Sequence, residues 1–314
     1  MSEEILERAG DLFSRLFNEL EKVIVGQREP LEQIVMTILC DGHALVESNP
    51  GLGKTLMIFT LARLMELKFS RIQCTPDLMP SDITGTYILE ETDEGKRFRF
   101  EAGPVFSNIV LADEINRASP KTQSALLEAM QEKQVTVGRQ TFALERPFFV
   151  LATQNPIEME GTFPLPEAQL DRFLFKIKMD YPTPAEEMAI VNRYTTNVMP
   201  EVSGVMSRDA LLKLQMLTRE VPISNELKQH VINIITTTRK DIPEIAYGAS
   251  PRASIGLILA AKARAFLHGR SFVSHEDVEA MAYPVLRHRI ILTFEAERRG
   301  ITPDLVISRI LEAV

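Results

Sequence analysis

Leu6, Ala9, Phe13, Leu16, Phe17 and Leu20 recur at the three-and-four spacing of one helix face, which predicts an amphipathic helix over residues 5–20. Lys22-Val23-Ile24-Val25-Gly26-Gln27 breaks that period, and residues 30–40 resume it. Ala44-Leu45-Val46-Glu47 is a short apolar run of strand character, followed by a glycine-containing turn and a helical pattern from Leu56 to Leu67. Thr86-Tyr87-Ile88-Leu89-Glu90 and Lys96-Arg97-Phe98-Arg99-Phe100 flank Thr92-Asp93-Glu94-Gly95, which predicts a hairpin. Its second arm alternates basic and aromatic residues, so one edge is solvated. Asn108-Ile109-Val110-Leu111-Ala112-Asp113-Glu114 is an apolar run ending in two acids, with a helical pattern over residues 119–132 beyond it. A second hairpin is predicted from Gln134–Val137 and Thr141–Leu144 around Gly138-Arg139-Gln140. Phe148–Thr153 is a further buried-strand run, ending at Gln154-Asn155-Pro156.

At Tyr181-Pro182-Thr183-Pro184 the texture changes. Strand-like runs stop, and residues 181–314 read as a helical domain punctuated by turn signals such as Val202-Ser203-Gly204. Residues 1–180 alternate strands and helices, the signature of an α/β domain with a parallel sheet covered on both faces. At 314 residues the chain is long enough for one large domain or two ordinary ones.

Composition narrows the function classes. No apolar run approaches the length of a membrane span, so membrane insertion is not expected. The opening MSEEILERAG is acidic and amphipathic, unlike a secretory signal or transit peptide. Cys40 and Cys74 are the only cysteines, which fits a reducing compartment and a cytoplasmic protein. A net charge of −8 disfavours a dedicated nucleic-acid binder, although Lys96, Arg97 and Arg99 give one arm a local basic character. The five histidines are scattered and form no zinc pattern.

The densest chemistry lies in Ser48-Asn49-Pro50-Gly51-Leu52-Gly53-Lys54-Thr55. It differs from the phosphate-loop pattern G-x-x-x-x-G-K-[ST] only in carrying Ser48 at the first glycine. Gly51 and Gly53 let backbone N–H groups approach a triphosphate, Lys54 can reach its β- and γ-phosphates, and the Thr55 hydroxyl can ligate Mg²⁺. The helix that begins there adds the positive end of its dipole. If the Ser48 backbone is extended, serine costs little there; only a positive φ would demand glycine.

Asp113-Glu114 supplies the second element: Asp113 to hold Mg²⁺, largely through water, and Glu114 to polarise an attacking water. Alone, such an acid pair is usually a solvated turn; its pairing with the phosphate loop favours the catalytic reading. Asn155 is either a polar tip that orients the water or a turn residue before Pro156. Local sequence does not separate Arg172 and Arg252 from ordinary salt-bridged arginines.

Taken in order, these segments resemble the MoxR family of AAA+ ATPases. The resemblance rests on Val25-Gly26-Gln27, Asn49-Pro50-Gly51-Leu52-Gly53-Lys54-Thr55, Leu111-Ala112-Asp113-Glu114-Ile115-Asn116-Arg117 and Ala152-Thr153-Gln154-Asn155-Pro156. It continues through Glu160-Gly161-Thr162-Phe163-Pro164-Leu165-Pro166-Glu167-Ala168-Gln169-Leu170-Asp171-Arg172-Phe173 and Gly248-Ala249-Ser250-Pro251-Arg252-Ala253. It implies an α/β AAA+ P-loop NTPase core with two β-hairpin inserts, then an all-α lid. Val25, Gly26 and Gln27 would lie near the adenine, with Asn49–Leu56, including Leu52 and Leu56, around the phosphates. Lys54 and Thr55 would form the Walker A pair, Asp113 and Glu114 the Walker B pair, and Asn155 sensor 1. Arg172 would be an arginine finger reaching a neighbouring subunit's nucleotide, and Arg252 the sensor-2 arginine of the lid.

The same resemblance implies ATP and Mg²⁺ as cofactors and a homo-oligomer, a ring of six. It further implies a protein client, with one carrying a von Willebrand-type domain among the family's partners. A hinge near residue 181 would turn hydrolysis into motion. Two other readings stay open on sequence: a DNA-associated helicase-like motor, and a scaffold that binds ATP without turnover.

Overall fold

The computed structural model describes residues 3–92, 95–155, 161–196 and 200–314. Helices α1 (Glu3–Val23) and α2 (Arg28–Leu39) precede strand β1 (Ala44–Ser48) and helix α3 (Lys54–Leu64). Strand β2 (Phe69–Gln73), a short helix α4 (Pro80–Thr84) and the hairpin β3 (Gly85–Thr92)–β4 (Gly95–Ala102) come next. Strand β5 (Ile109–Asp113) leads to helix α5 (Pro120–Glu132), the hairpin β6 (Gln134–Val137)–β7 (Gln140–Ala143) and strand β8 (Phe149–Gln154). Helix α6 (Glu167–Leu170) and strand β9 (Phe175–Met179) follow. The remainder is α7 (Pro184–Tyr194), α8 (Arg208–Glu220), α9 (Asn225–Thr237), β10 (Ile245–Tyr247), α10 (Pro251–Leu267), α11 (His275–Leu286), β11 (Ile291–Leu292), α12 (Phe294–Arg298) and α13 (Pro303–Ala313). Among the described residues no helix is long and apolar enough to cross a membrane.

Five parallel strands form the sheet in the order β2-β5-β8-β1-β9. Both faces are covered, which is why the inner strands β1, β5 and β8 carry consecutive apolar residues (Ala44–Val46, Ile109–Ala112, Phe149–Ala152) rather than alternating ones. Ile109, Leu111, Phe149 and Leu151 point into one core, and Val110, Ala112, Val150 and Ala152 into the other. The edge strands lack such runs. In β2, Phe-Ser-Arg-Ile-Gln buries little beyond Ile72, and in β9, Phe-Lys-Ile-Lys-Met alternates, so neither stands out along the chain. The central strands end together at Ser48, Asp113 and Gln154, placing the loops that follow them on one rim.

The lid is helical with one addition: β10 and β11 pair antiparallel as a short ribbon. Its apolar core is continuous with that of the sheet domain. Phe13 of α1 meets Phe266 of α10 edge-on at 5.6 Å, and both belong to the cluster that includes Ile34, Leu151 and Leu257. The hairpins match the predicted arms, the first extended to Gly85–Thr92 and Gly95–Ala102. Its turn residues Asp93 and Glu94 lie outside the described residues.

Candidate functional site

Strand β1 delivers the chain to the rim at Ser48, and α3 begins at Lys54. Between them Gly51 (φ +83°) and Gly53 (φ +73°) are left-handed, and a Cβ on either would meet nothing within 4 Å. A positive φ is cheap only for glycine, so these two turn the backbone while leaving open space before it. Ser48 is not left-handed; it is a buried strand residue, so the missing first glycine costs no backbone strain. Its hydroxyl has a task of its own, accepting a hydrogen bond from Lys54 Nζ at 2.8 Å. Lys54 also donates to the Asn49 carbonyl at 3.1 Å. Partial burial draws the lysine below its ordinary pKa, while the nearby carboxylates of Asp113 and Glu114 act to raise it. Thr55 sits half-buried in the first turn of α3, on the same rim.

Beside the glycines an apolar pocket is lined by Val25, Gln27, Leu52, Leu56, Ile190 and Tyr194. Helix α7 closes it, with Tyr194 Oη donating to the Val23 carbonyl at 2.6 Å, and Gln27 Nε2 donates to the carbonyl of Asp180, just past β9, at 2.8 Å. Gly26 permits that approach, because a Cβ there would stand 2.5 Å from Glu186 Oε1. The pocket joins Val25 and Gln27 to the glycine loop, with Asn49 and Pro50 on the approach from β1.

The acids are organised by a residue to which the sequence reading gave no role. Thr153, buried on β8, donates from Oγ1 to Asp113 Oδ1 at 2.8 Å and accepts the Glu114 backbone N–H at 2.8 Å. One hydroxyl thus ties both acids to the neighbouring strand. Glu114 is left-handed (φ 56°, ψ 52°), a conformation uncommon outside glycine that persists where surroundings enforce it. Its carboxylate meets Arg117 Nη1 at 3.0 Å. Arg71, also missed, reaches across from β2 to Asp113 Oδ2 at 2.6 Å and to Gln73 Oε1 at 2.6 Å. The Ala152–Asn155 segment quoted above was the only sequence signal for Thr153; nothing in Phe-Ser-Arg-Ile-Gln marked Arg71. Asn155 is buried at the end of β8, between the strands that carry the loop and the acids. Pro156 and Glu160 lie outside the described residues.

Thr55 and Asp113 present only hard oxygen donors. That set is too small for an all-protein cage and fits Mg²⁺, which keeps waters and takes further oxygens from phosphate.

Arg172 and Arg252 stand elsewhere. They line one cavity together with His43, Met130, Gln131 and Asp171, and neither lines the pocket beside the glycines. Arg172 Nη1 donates to the Leu127 carbonyl at 3.0 Å. His43 is buried and fixed in one neutral form: Nδ1 accepts from the Val150 N–H and Nε2 donates to the Met130 carbonyl, both at 3.0 Å. Burial holds its pKa at about 4.

The two hairpins are fastened to each other. Phe100 stacks on Phe142 with centroids 4.3 Å apart, and Tyr87 Oη donates to Gln140 Oε1 at 2.6 Å. The basic residues of β4 pair with glutamates of β3: Lys96 with Glu91 opposite it at 3.0 Å, Arg97 with Glu90 opposite it at 3.3 Å, and Arg99 diagonally with Glu90 at 3.6 Å. The local basic character is therefore offset across the ladder. Phe98 remains 75% exposed opposite Leu89 at 55%.

A parallel sheet with this strand order, an open glycine loop leading into a helix, an acid pair one strand removed across β8 and a helical lid define a P-loop NTPase of AAA+ architecture. Comparison with known proteins agrees. Residues 43–175 match the profile of the ATPase family associated with various cellular activities (AAA), and residues 240–310 match the AAA lid domain. Chaperone MoxR1 of Mycobacterium tuberculosis is 46% identical over 308 residues, covering 96% of this chain and 81% of that protein. Protein MoxR of Paracoccus denitrificans is 32% identical over 314 residues, covering 91% of each. A crystal structure of a protein from Cytophaga hutchinsonii superimposes with a TM-score of 0.93 at 44% identity, covering 99% of this chain and 97% of the other. The chain belongs to the MoxR family of AAA+ ATPases.

Proposed function

We propose that the chain hydrolyses ATP at the interfaces of a ring built from its own copies, six in the family's pattern, and uses the cycle to remodel a protein partner. One observation supports the trans arrangement above all. Lys54, Asp113 and Glu114 gather at the strand rim, whereas Arg172 and Arg252 share a cavity apart from the pocket beside the loop.

In this reading the backbone at Gly51–Lys54 and the Lys54 ammonium hold the triphosphate, once Lys54 exchanges Ser48 for a phosphate oxygen. Thr55 and Asp113 would hold Mg²⁺, which would supply Lewis-acid stabilisation of the charge on the phosphates. Glu114, aimed by its left-handed backbone, accepts the proton of the attacking water, and Asn155 orients that water. Arg172, with Arg252 beside it, meets the γ-phosphate of the adjacent subunit, where such an arginine is worth about 10³–10⁵ in rate. Residues 1–180 serve as the nucleotide domain and 181–314 as the lid.

The name of the mycobacterial relative supports a chaperone-like role. The exposed Phe98–Leu89 pair on the insert is the contact for a protein client, a von Willebrand-type domain protein being the class implied by the family. Phosphate release measured across a dilution series tests the reading. Turnover per subunit should rise through the concentration range in which the ring assembles. Full turnover by a monodisperse single chain would overturn it.

A further inference from the structure

Arg289, on the segment joining α11 to β11, is 7% exposed yet carries a full guanidinium. All five of its N–H groups are used. Nε donates to Asp171 Oδ1 at 2.7 Å, Nη2 to the carbonyls of Asp171 and Phe173 at 3.1 and 2.6 Å, and Nη1 to the carbonyls of Leu174 (3.0 Å) and Val285. Four of the five bonds therefore reach out of the lid onto residues 171–174. His288, next to it, donates from Nε2 to the same Phe173 carbonyl at 2.9 Å.

The segment so gripped contains Arg172. Its neighbours on both sides are clamped, so the guanidinium of Arg289 sets the backbone from which Arg172 projects. Asp171 has a second tie. Its Oδ2 accepts from Ser250 Oγ at 2.9 Å, and Ser250 is the N-cap of α10, accepting the Arg252 N–H at 3.2 Å. A single carboxylate thus joins the residue before Arg172 to the cap that starts the Arg252 helix.

Burying a guanidinium is costly, and only its matched set of acceptors makes it tolerable. A lysine at 289 keeps the charge but cannot span carboxylate and carbonyls in one plane.

We propose that Arg289 is a positioning residue. Through Asp171 it locks Arg172 and Arg252 into one unit carried by the lid, so the lid's position sets how both arginines meet the neighbouring nucleotide. This rests on the reading of Arg172 as a trans-acting arginine.

The test uses assembled full-length protein and steady-state ATP turnover. Arg289→Lys should leave the ATP Kd within about twofold of wild type and lower kcat by about 10–100-fold, the scale of a misplacement near 1 Å. Adding Arg289→Lys to Arg172→Ala should cost less than the product of the two separate losses, because one of the two arginines it positions is already gone. Mixed rings of Arg289→Lys with Glu114→Gln should regain turnover, and mixed rings with Arg172→Ala should not. Wild-type turnover in Arg289→Lys, or multiplied losses in the double variant, would overturn the proposal. Unimpaired turnover in Arg172→Ala alone would instead overturn the reading beneath it. If Arg289→Lys does not fold, Asp171→Asn, which keeps an oxygen for Nε, should show the same pattern of rescue at smaller amplitude. A uniform loss unresponsive to subunit mixing in that variant counts against the proposal.

Discussion

Ser48 meets Lys54 across six positions of the chain, and the loop between them belongs to one strand, one turn and one helix. At the arginine cavity Asp171 meets Ser250 across 79 positions and Arg289 across 118. The phosphate rim is thus assembled locally, with the strand order of the sheet bringing Asp113 and Thr153 alongside. The arginine face exists only once the lid has packed on the sheet domain. One end is a motif and the other a consequence of the tertiary fold, so the two should fail differently when perturbed.

The largest separation of the two ends should come from Arg172→Ala. Turnover should fall by about 10³–10⁵ while ATP affinity stays near wild type, because the lost group serves the neighbour's transition state. Nucleotide binding measured alongside phosphate release gives both numbers. Mixing these subunits with Glu114→Gln subunits should restore activity at interfaces that carry an intact acid on one side and an intact arginine on the other. An ATP affinity that falls with turnover would place Arg172 in its own subunit's pocket and dissolve the comparison.

Glu114→Gln attacks the other end. It should retain ATP binding and lower turnover by about 10²–10⁴, the usual worth of a positioned general base. Lys54→Ala should instead raise the ATP Kd, since its ammonium contributes to holding the phosphates in both ground and transition states. A Glu114→Gln protein that turns over normally would remove that residue from the chemistry.

This contrast also explains what could be read along the chain. The glycine loop, the acid pair and the buried strands β1, β5 and β8 were legible because each is a run of neighbours with its own pattern. Asn155 and Arg172 were singled out only through resemblance, since a single polar residue after a strand, or one arginine in a loop, has many local explanations. Thr153 and Arg71 gained no role because their partner is Asp113, 40 and 42 positions away, and no local pattern marks that distance. Edge strands β2 and β9 were hidden because one face or one end is solvated, which removes the continuous apolar run. Arg289 lay in Arg-His-Arg, an ordinary basic cluster by sequence, and only burial distinguishes it.

Acid should loosen the arginine end. Burial holds His43 at about 4 and sets His288 well below the ordinary histidine value, with both rings bonded in the neutral form. The unfolded chain takes up protons near pH 6.5 and the native one does not, so native stability is complete above that pH. It falls as pH drops from about 6.5 towards 4, by about 3 kcal/mol for His43 alone. His43 lines the cavity of Arg172 and Arg252, and His288 holds the Phe173 carbonyl. Urea midpoints between pH 7 and 4.5 should shift downward, and His43→Gln should flatten that slope. An equal slope in the variant would show that His43 is not the group being protonated.

Ser48 gives the smallest and most local test. Lys54 donates to the serine hydroxyl at 2.8 Å, so binding a phosphate oxygen means exchanging one partner for another. Removing the hydroxyl leaves the ammonium with the Asn49 carbonyl at 3.1 Å and less to give up. With a net hydrogen-bond worth of about 1 kcal/mol, Ser48→Gly should tighten ATP binding by about fivefold at most and leave kcat within about twofold. Glycine at the end of β1 also frees the unfolded backbone, so stability should fall by about 0.5–1 kcal/mol, which thermal unfolding will register separately. A Kd raised more than about tenfold would make the hydroxyl a phosphate ligand in its own right. A comparable gain in kcat would mean that the serine restrains turnover, holding Lys54 back from the transition state.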